Sequence, residues 1–386
     1  MRILYIGMKY DYGNPAQGLS FEHCNMFDSL RHMGHDILYF DFLTLHEKYG
    51  KARMNQRLWE VVKEEKPDLM FTILFQEQLD RRVIRKISDN SGAVTFNWFC
   101  DDHWRFDNFS RFWAPCFHWV STTAQSALVK YAGIGYSNVI KTQWAGNPFL
   151  YKQLELPLQH DVTFIGQPHG NRREIINALQ DAGIHVKTWG SGWGNGRVTQ
   201  EEVVRIFNES RVNLNLVEAS VPAGTTSAPL RRMVSRSLNA LPFGPEVKSL
   251  VKQVKDRQHP LAPHQTAGEK NSTQYAAQIK GRNFEVPCCG GFMLTGSAEN
   301  LDDYYEAGTE VASFTDTQDL IAKVQYFLSH DSERSAIAQA GLQRTLSEHT
   351  YVHRFTEIFE RMELPCDSAR TILSSLPMPG IVQEIS

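Results

Sequence analysis

A chain of 386 residues with 42% hydrophobic content is long enough for two or three domains with ordinary packed cores. Its 40 basic and 43 acidic residues leave a formal net charge of −3, so no global field draws it toward nucleic acid or an anionic membrane surface. The six cysteines form no CxxC pair and show no zinc spacing, and no apolar run approaches the roughly 18 residues of a membrane span.

The opening MRILYIGMKY starts as a strand without a signal-like region, and the expectation is a soluble cytoplasmic chain with no membrane span. Residues 2–7 form a β-branched and aromatic run closed by Gly7, followed by a glycine-bearing loop to Gly18 and an amphipathic stretch over 21–33. The rhythm repeats with strands expected at 36–40, 69–74, 93–96 and 117–120, and helices at 55–65, 81–89 and 124–132. Such alternation implies an α/β, parallel, doubly wound sheet.

Near 144–157 the helical period lapses, and Asn147-Pro148 and Leu156-Pro157 favour extended chain, which marks a linker. The alternation then restarts with strands at 161–166, 185–189, 212–216 and 292–294 and helices at 172–182, 200–210, 320–328 and 334–345. This division gives an N-terminal Rossmann-like domain over 1–150 and a C-terminal one over 158–350. Residues 351–386 are expected to form a helix and tail packing back on the first domain. Residues 222–275 break the rhythm with six prolines and clustered cations, and read as a partly mobile insertion.

Several segments carry candidate chemistry. Gly166 ends a strand ahead of a helix opening on Arg172 and Arg173, and helix N-terminal N–H groups and arginine forks both bind phosphate oxygens, although an ordinary βα turn looks the same. Gly190 and Gly192 lie in a loop that either lets backbone groups read a base or ribose, or simply turns tightly under packed tryptophans. Asp101-Asp102-His103 follows a strand of the first half, where two carboxylates and an imidazole suit sugar hydroxyls and acid–base work; a helix cap is the alternative. Lys280, Arg282 and Glu285 place two cations and a carboxylate within about one and a half helical turns, with Pro287 expected to kink or end the helix. Gly290-Gly291 reads as a left-handed stop whose backbone can approach a ligand closely.

The run K-x-R-x-F-E-x-P-x-x-G-G from Lys280 resembles the C-terminal half of the CgeB-like (spore maturation protein) glycosyltransferases. So do Asp302-Asp303-Tyr304-Tyr305, Phe314-Thr315-Asp316 and Leu320, and the likeness continues through His349-Thr350-Tyr351 to Arg354-Phe355. These proteins are relatives of the family-four retaining glycosyltransferases. Phe96 to Asp102, and Phe164-Ile165-Gly166 with Arg172, extend the likeness upstream. The resemblance implies the GT-B fold, two Rossmann-like doubly wound domains facing a cleft. It implies a nucleotide diphosphate sugar as donor substrate, with no cofactor and no metal, held by Gly166, Arg172, Gly190, Gly192, Lys280, Arg282, Glu285, Gly290 and Gly291. The acceptor, whether glycan, small molecule, protein or nucleic acid, would meet Tyr12, Gly18 and Glu22, with Asp101, Asp102 and His103 as catalytic groups. One departure stands out: where the family-four pattern has a glutamate eight residues before Glu285, this chain has Ala277. A nucleotide-sugar epimerase of the same architecture and a non-catalytic nucleotide-sugar-binding protein are the rival readings.

Overall fold

The computed structural model describes residues 1–217 and 277–375, so the expected insertion at 222–275 lies outside the described residues. The first half is a six-stranded sheet in the order β2-β1-β3-β4-β5-β6. Its strands are β1 (Arg2–Gly7), β2 (Asp36–Asp41), β3 (Leu69–Thr72), β4 (Val94–Phe99), β5 (Trp119–Thr122) and β6 (Val139–Lys141). The second half is a five-stranded sheet in the order β11-β10-β9-β7-β8. It is built from β7 (His160–Ile165), β8 (Val186–Trp189), β9 (Ser210–Asn215), β10 (Met293–Gly296) and β11 (Ala312–Phe314). The pairings are parallel in both sheets. Strands covered on both faces are apolar throughout rather than alternating, and β3, LMFT, is buried at every position.

Several helices begin where the sequence supplies a cap. Asp80 accepts from Arg82 N ahead of the helix Arg81–Asn90. Thr199 and Glu202 form a reciprocal capping box before Gln200–Glu209, and the Asp316 side chain accepts from Gln318 N and Asp319 N. The helix expected at 55–65 is the second part of a longer element, Phe42–Glu65, broken at Gly50, which has φ +75°. The short strands β6 and β11 were not anticipated; three residues carry too little pattern to read.

In both sheets the strand order reverses at one place, between β1 and β3 in the first half and between β7 and β9 in the second. Open parallel sheets bind ligands beyond the carboxyl ends of the strands at such a reversal. The face of the first sheet bearing Ile3, Tyr5, Phe71, Phe96 and Trp98 is covered by Tyr351, Phe355 and Phe359 of the helix Tyr351–Arg361. The chain therefore crosses back after the second half. The crossing is bonded to the outgoing linker: Gly146 N donates to His349 O and Tyr351 N to Gly146 O, both at 2.9 Å.

Candidate active site

At the reversal of the second sheet three cations gather. Arg172, at the start of the helix Arg172–Asp181, donates Nη1 to Gln167 O at 2.9 Å and Nη2 to Leu216 O at 2.6 Å, so it ties the end of β7 to the end of β9. Arg282, at the first position of the helix Arg282–Cys288, points Nε toward Ile165 O at 3.4 Å and pairs with the fully buried Glu285 carboxylate. The Lys280 ammonium donates to Gln278 Oε1 at 3.0 Å. Burial lowers all three cations, Arg172 to about 10, and Arg282 and Arg172 further depress their neighbours; only Asp101, from the first half, raises Lys280. Arg172 Nε, Gln278 Nε2 and Glu285 Oε1 are buried there without a hydrogen-bond partner among the described residues. Crowded cations with unspent N–H donors at Arg172 and Gln278 have the chemistry that suits an anion.

The loops beneath are held backbone to backbone. Gly166 N donates to Trp189 O at 2.9 Å and Gly166 O accepts from Trp193 Nε1 at 2.7 Å, while the Arg173 guanidinium lies over the Trp193 ring. At Gly192, with φ +97°, an added Cβ would lie 3.0 Å from the Pro168 side chain.

Two parts of the sequence reading require correction. Gly290 and Gly291 do not face the cleft, because the helix Arg282–Cys288 runs back from the carboxyl edge of the sheet to the start of β10. Gly290, with φ +68°, stops that helix against the Gln153 side chain, and Gly291 packs on Phe207 O and Asn213 at the opposite edge. Pro287 falls in the last turn of the helix, just ahead of the stop at Gly290. Asp102 is 1% exposed and accepts from Tyr131 Oη at 2.7 Å, so it anchors the helical segment after β4 to the core. Burial raises its carboxyl above the usual range.

From the first half, Asp101, Glu22, Tyr12 and His103 approach the same place. Glu22 is half-buried, and burial with the neighbouring Asp11 and Asp101 charges pushes its carboxyl up to about 7. Tyr12 adopts φ +49° and sets its half-exposed ring edge-on to Phe75 at 5.7 Å, and Gly18, with φ +79°, has open space where a side chain would be. Direct contacts join the halves: Arg197 Nη2 meets Asp11 Oδ2 at 2.6 Å, and a Cβ on Gly281 would lie 2.7 Å from the Phe21 ring. His103 Nε2 meets Glu299 Oε2 at 3.1 Å, and Lys141 Nζ donates to Tyr304 Oη at 3.1 Å. Glu299, Lys141 and Tyr304 were missed as site residues, since nothing local in the sequence signals a contact across more than 160 residues. A 340 Å³ cavity near Glu306 and Arg344 and an 880 Å³ groove near Arg85 and Phe112 share no lining residue with this cleft.

Residues 172–233 and 251–360 match the family described as glycosyl transferase-like, a match that includes Arg172, Lys280, Arg282 and Glu285. The fold and this match are those of a glycosyltransferase. HepE of Anabaena, solved with UDP-glucose, superposes with a TM-score of 0.57 at 12% identity over 94% of this chain and 99% of that one. The sucrose-phosphate synthase of Thermosynechococcus elongatus gives 0.58 at 9% identity over 97% and 99%. AviGT4, a glycosyltransferase involved in avilamycin A biosynthesis, gives 0.52 at 10% identity over 97% and 98%. At these identities the likeness establishes the two-domain GT-B glycosyltransferase fold. No curated protein matches this chain in sequence. Among the described residues no helix is long and apolar enough to cross a membrane.

Proposed function

We propose that this glycosyltransferase moves a sugar from a nucleotide diphosphate donor, bound by the second half, to a hydroxyl-bearing acceptor bound by the first, in the cytoplasm and without a metal. The observation that carries this reading is the cluster of Arg172, Lys280 and Arg282 at the sheet reversal, with donors left over for an anion. In the transfer, the bond from the sugar's anomeric carbon to the diphosphate oxygen breaks, the acceptor hydroxyl bonds through its oxygen to that carbon and gives up its proton to the departing diphosphate or to water, and the nucleoside diphosphate leaves with the bonding electron pair. Cations fixed in advance where that charge develops stabilise the transition state more than the bound substrate. In this reading Glu285 receives a ribose hydroxyl, and its buried, unpartnered Oε1 beside Gly281 supports that role. Asp101, Glu22, Tyr12 and the loop at Gly18 form the acceptor side. Retention of anomeric configuration follows the motif resemblance to the CgeB-like enzymes.

HepE, of the same fold, binds UDP-glucose, and a nucleoside diphosphate sugar panel is therefore the natural test. Release of nucleoside diphosphate that depends on an added acceptor supports transfer. Epimerised sugar without any acceptor would favour an epimerase, and thermal stabilisation with neither product would favour a binding protein. A ligand at 100 times its Kd stabilises by about 2.7 kcal/mol, which a melting curve resolves.

A further inference from the structure

We propose that Glu299 is a positioning residue for His103, accepting its Nε2–H so that Nδ1 stays a hydrogen-bond acceptor for a hydroxyl of the bound substrate. The inference rests on the transferase reading of this cleft. His103 lies just beyond the carboxyl end of β4, Ser126 beyond that of β5, and Glu299 three residues beyond the end of β10, so three strand ends from two sheets converge. Glu299 Oε2 lies 3.1 Å from His103 Nε2 and 3.5 Å from Ser126 Oγ. The carboxylate is held from behind: Glu299 N donates to Ala277 O at 2.9 Å, on the strand of chain leading to Lys280. Ala277 is the position left without a glutamate, and the neighbouring loop delivers a carboxylate beside it.

The tautomer follows from the partner. A carboxylate only accepts, so the nitrogen facing it carries the hydrogen and the other nitrogen of a neutral ring keeps a lone pair. The His103 side chain is 6% exposed, and its Nδ1 is buried with no partner among the described residues. A lone-pair nitrogen held that way beside Lys280 and Asp101 is what a substrate hydroxyl requires. The charged groups facing the ring are Glu299, Lys280, Asp101 and Lys141; burial outweighs the two carboxylates and, with the lysines, disfavours the charged ring. The pair joins the two halves, His103 belonging to the first and Glu299 to the second.

Long-range proton–nitrogen spectra of the full chain read the tautomer directly, with no donor present. The expected result is an Nε2–H imidazole in the wild type and a mixture of tautomers in Glu299→Ala, with kcat reduced at least tenfold. Glu299→Gln, whose amide oxygen still accepts, should keep the tautomer but titrate His103 at lower pH, because the charge favouring imidazolium is gone. If the hydroxyl belongs to the transferred sugar, Glu299→Ala slows donor hydrolysis and transfer alike; if it belongs to the acceptor, transfer alone falls. An Nδ1–H wild-type ring, or a Glu299→Ala tautomer identical to wild type, overturns the proposal. Absence of turnover with every nucleotide sugar would overturn the transferase reading while leaving the tautomer measurable, and Glu299→Gln serves if the alanine variant does not fold.

Discussion

A Cβ on Gly190 would stand 2.4 Å from the carbonyl oxygen of Gly166, so the loops after β7 and β8 touch backbone to backbone. Gly190 also holds φ +132°, a region that side chains avoid. Gly190→Ala should therefore destabilise the protein by about 1–3 kcal/mol or more, since neither carbonyl nor strand end can retreat cheaply. Chemical denaturation measures the loss, and a wild-type midpoint would show that the two loops move apart freely.

Arg172 has two donors committed to Gln167 O and Leu216 O and Nε uncommitted. Arg172→Ala should weaken nucleoside diphosphate binding roughly tenfold or more while leaving the bare nucleoside unchanged, because a charge-assisted contact contributes ~1.5–3 kcal/mol. Calorimetry with the two ligands separates the cases. Equal losses for both would place the arginine's role in the loop scaffold.

Arg282 and Glu285 are paired unequally: the arginine side chain is 27% exposed and the glutamate 0%. Removing Arg282 strands a carboxylate in the interior, whereas removing Glu285 leaves a guanidinium that reaches water. Arg282→Ala should cost about 3–5 kcal/mol of stability and Glu285→Ala less. The order of the two melting temperatures decides the point.

Asp102 accepts the Tyr131 hydroxyl in the core, so its effect should be on stability. Asp102→Ala leaves that hydroxyl unpaired at a cost of ~1–3 kcal/mol, Asp102→Asn keeps an acceptor and should be milder, and neither should change nucleotide affinity. A full-strength fold with abolished turnover would return Asp102 to the reaction.

Glu22 gives a pH signature. Its carboxyl is raised from 4.5 to about 7 by burial first and by Asp11 and Asp101 after, so the folded protein holds this proton to higher pH than the unfolded chain. The stabilisation is complete below 4.5 and is lost as pH rises through about 7. Relative to Glu22→Gln, the wild type should lose about 1–3 kcal/mol across that window, a range that allows for partial solvent screening. A flat difference between the two would mean that Glu22 is ionised in the folded state.

The strand–helix rhythm made both sheets legible before any coordinates, since buried parallel strands leave continuous apolar runs and glycines punctuate their ends. Lys280, Arg282 and Glu285 could be grouped from the sequence because they are near neighbours at the start of one short helix, whereas Arg172, which opens another helix, joins them only through the way β7 and β9 are arranged. Gly290 and Gly291 misled because composition marks a sharp turn without saying at which edge of a sheet it falls. Asp102 misled because a carboxylate beside Asp101 looks solvent-facing until the helical turn after β4 rotates it inward. Glu299 was invisible for a different reason: its partner is 196 residues away in the numbering and the contact depends on how two sheets meet.

The paired crossings at Gly146 and Tyr351 make the junction between the halves a double seam. The outgoing and returning chains are bonded to each other through Gly146 N to His349 O and Tyr351 N to Gly146 O, and Arg354 Nε reaches Gln143 O beside them at 3.2 Å. A protease nick in the outgoing pass would leave the halves joined by the returning one, with Phe355 and Phe359 still sealed against the first sheet. The two halves are thereby tethered along one line by two covalent passes of chain, and cutting either pass alone does not free them.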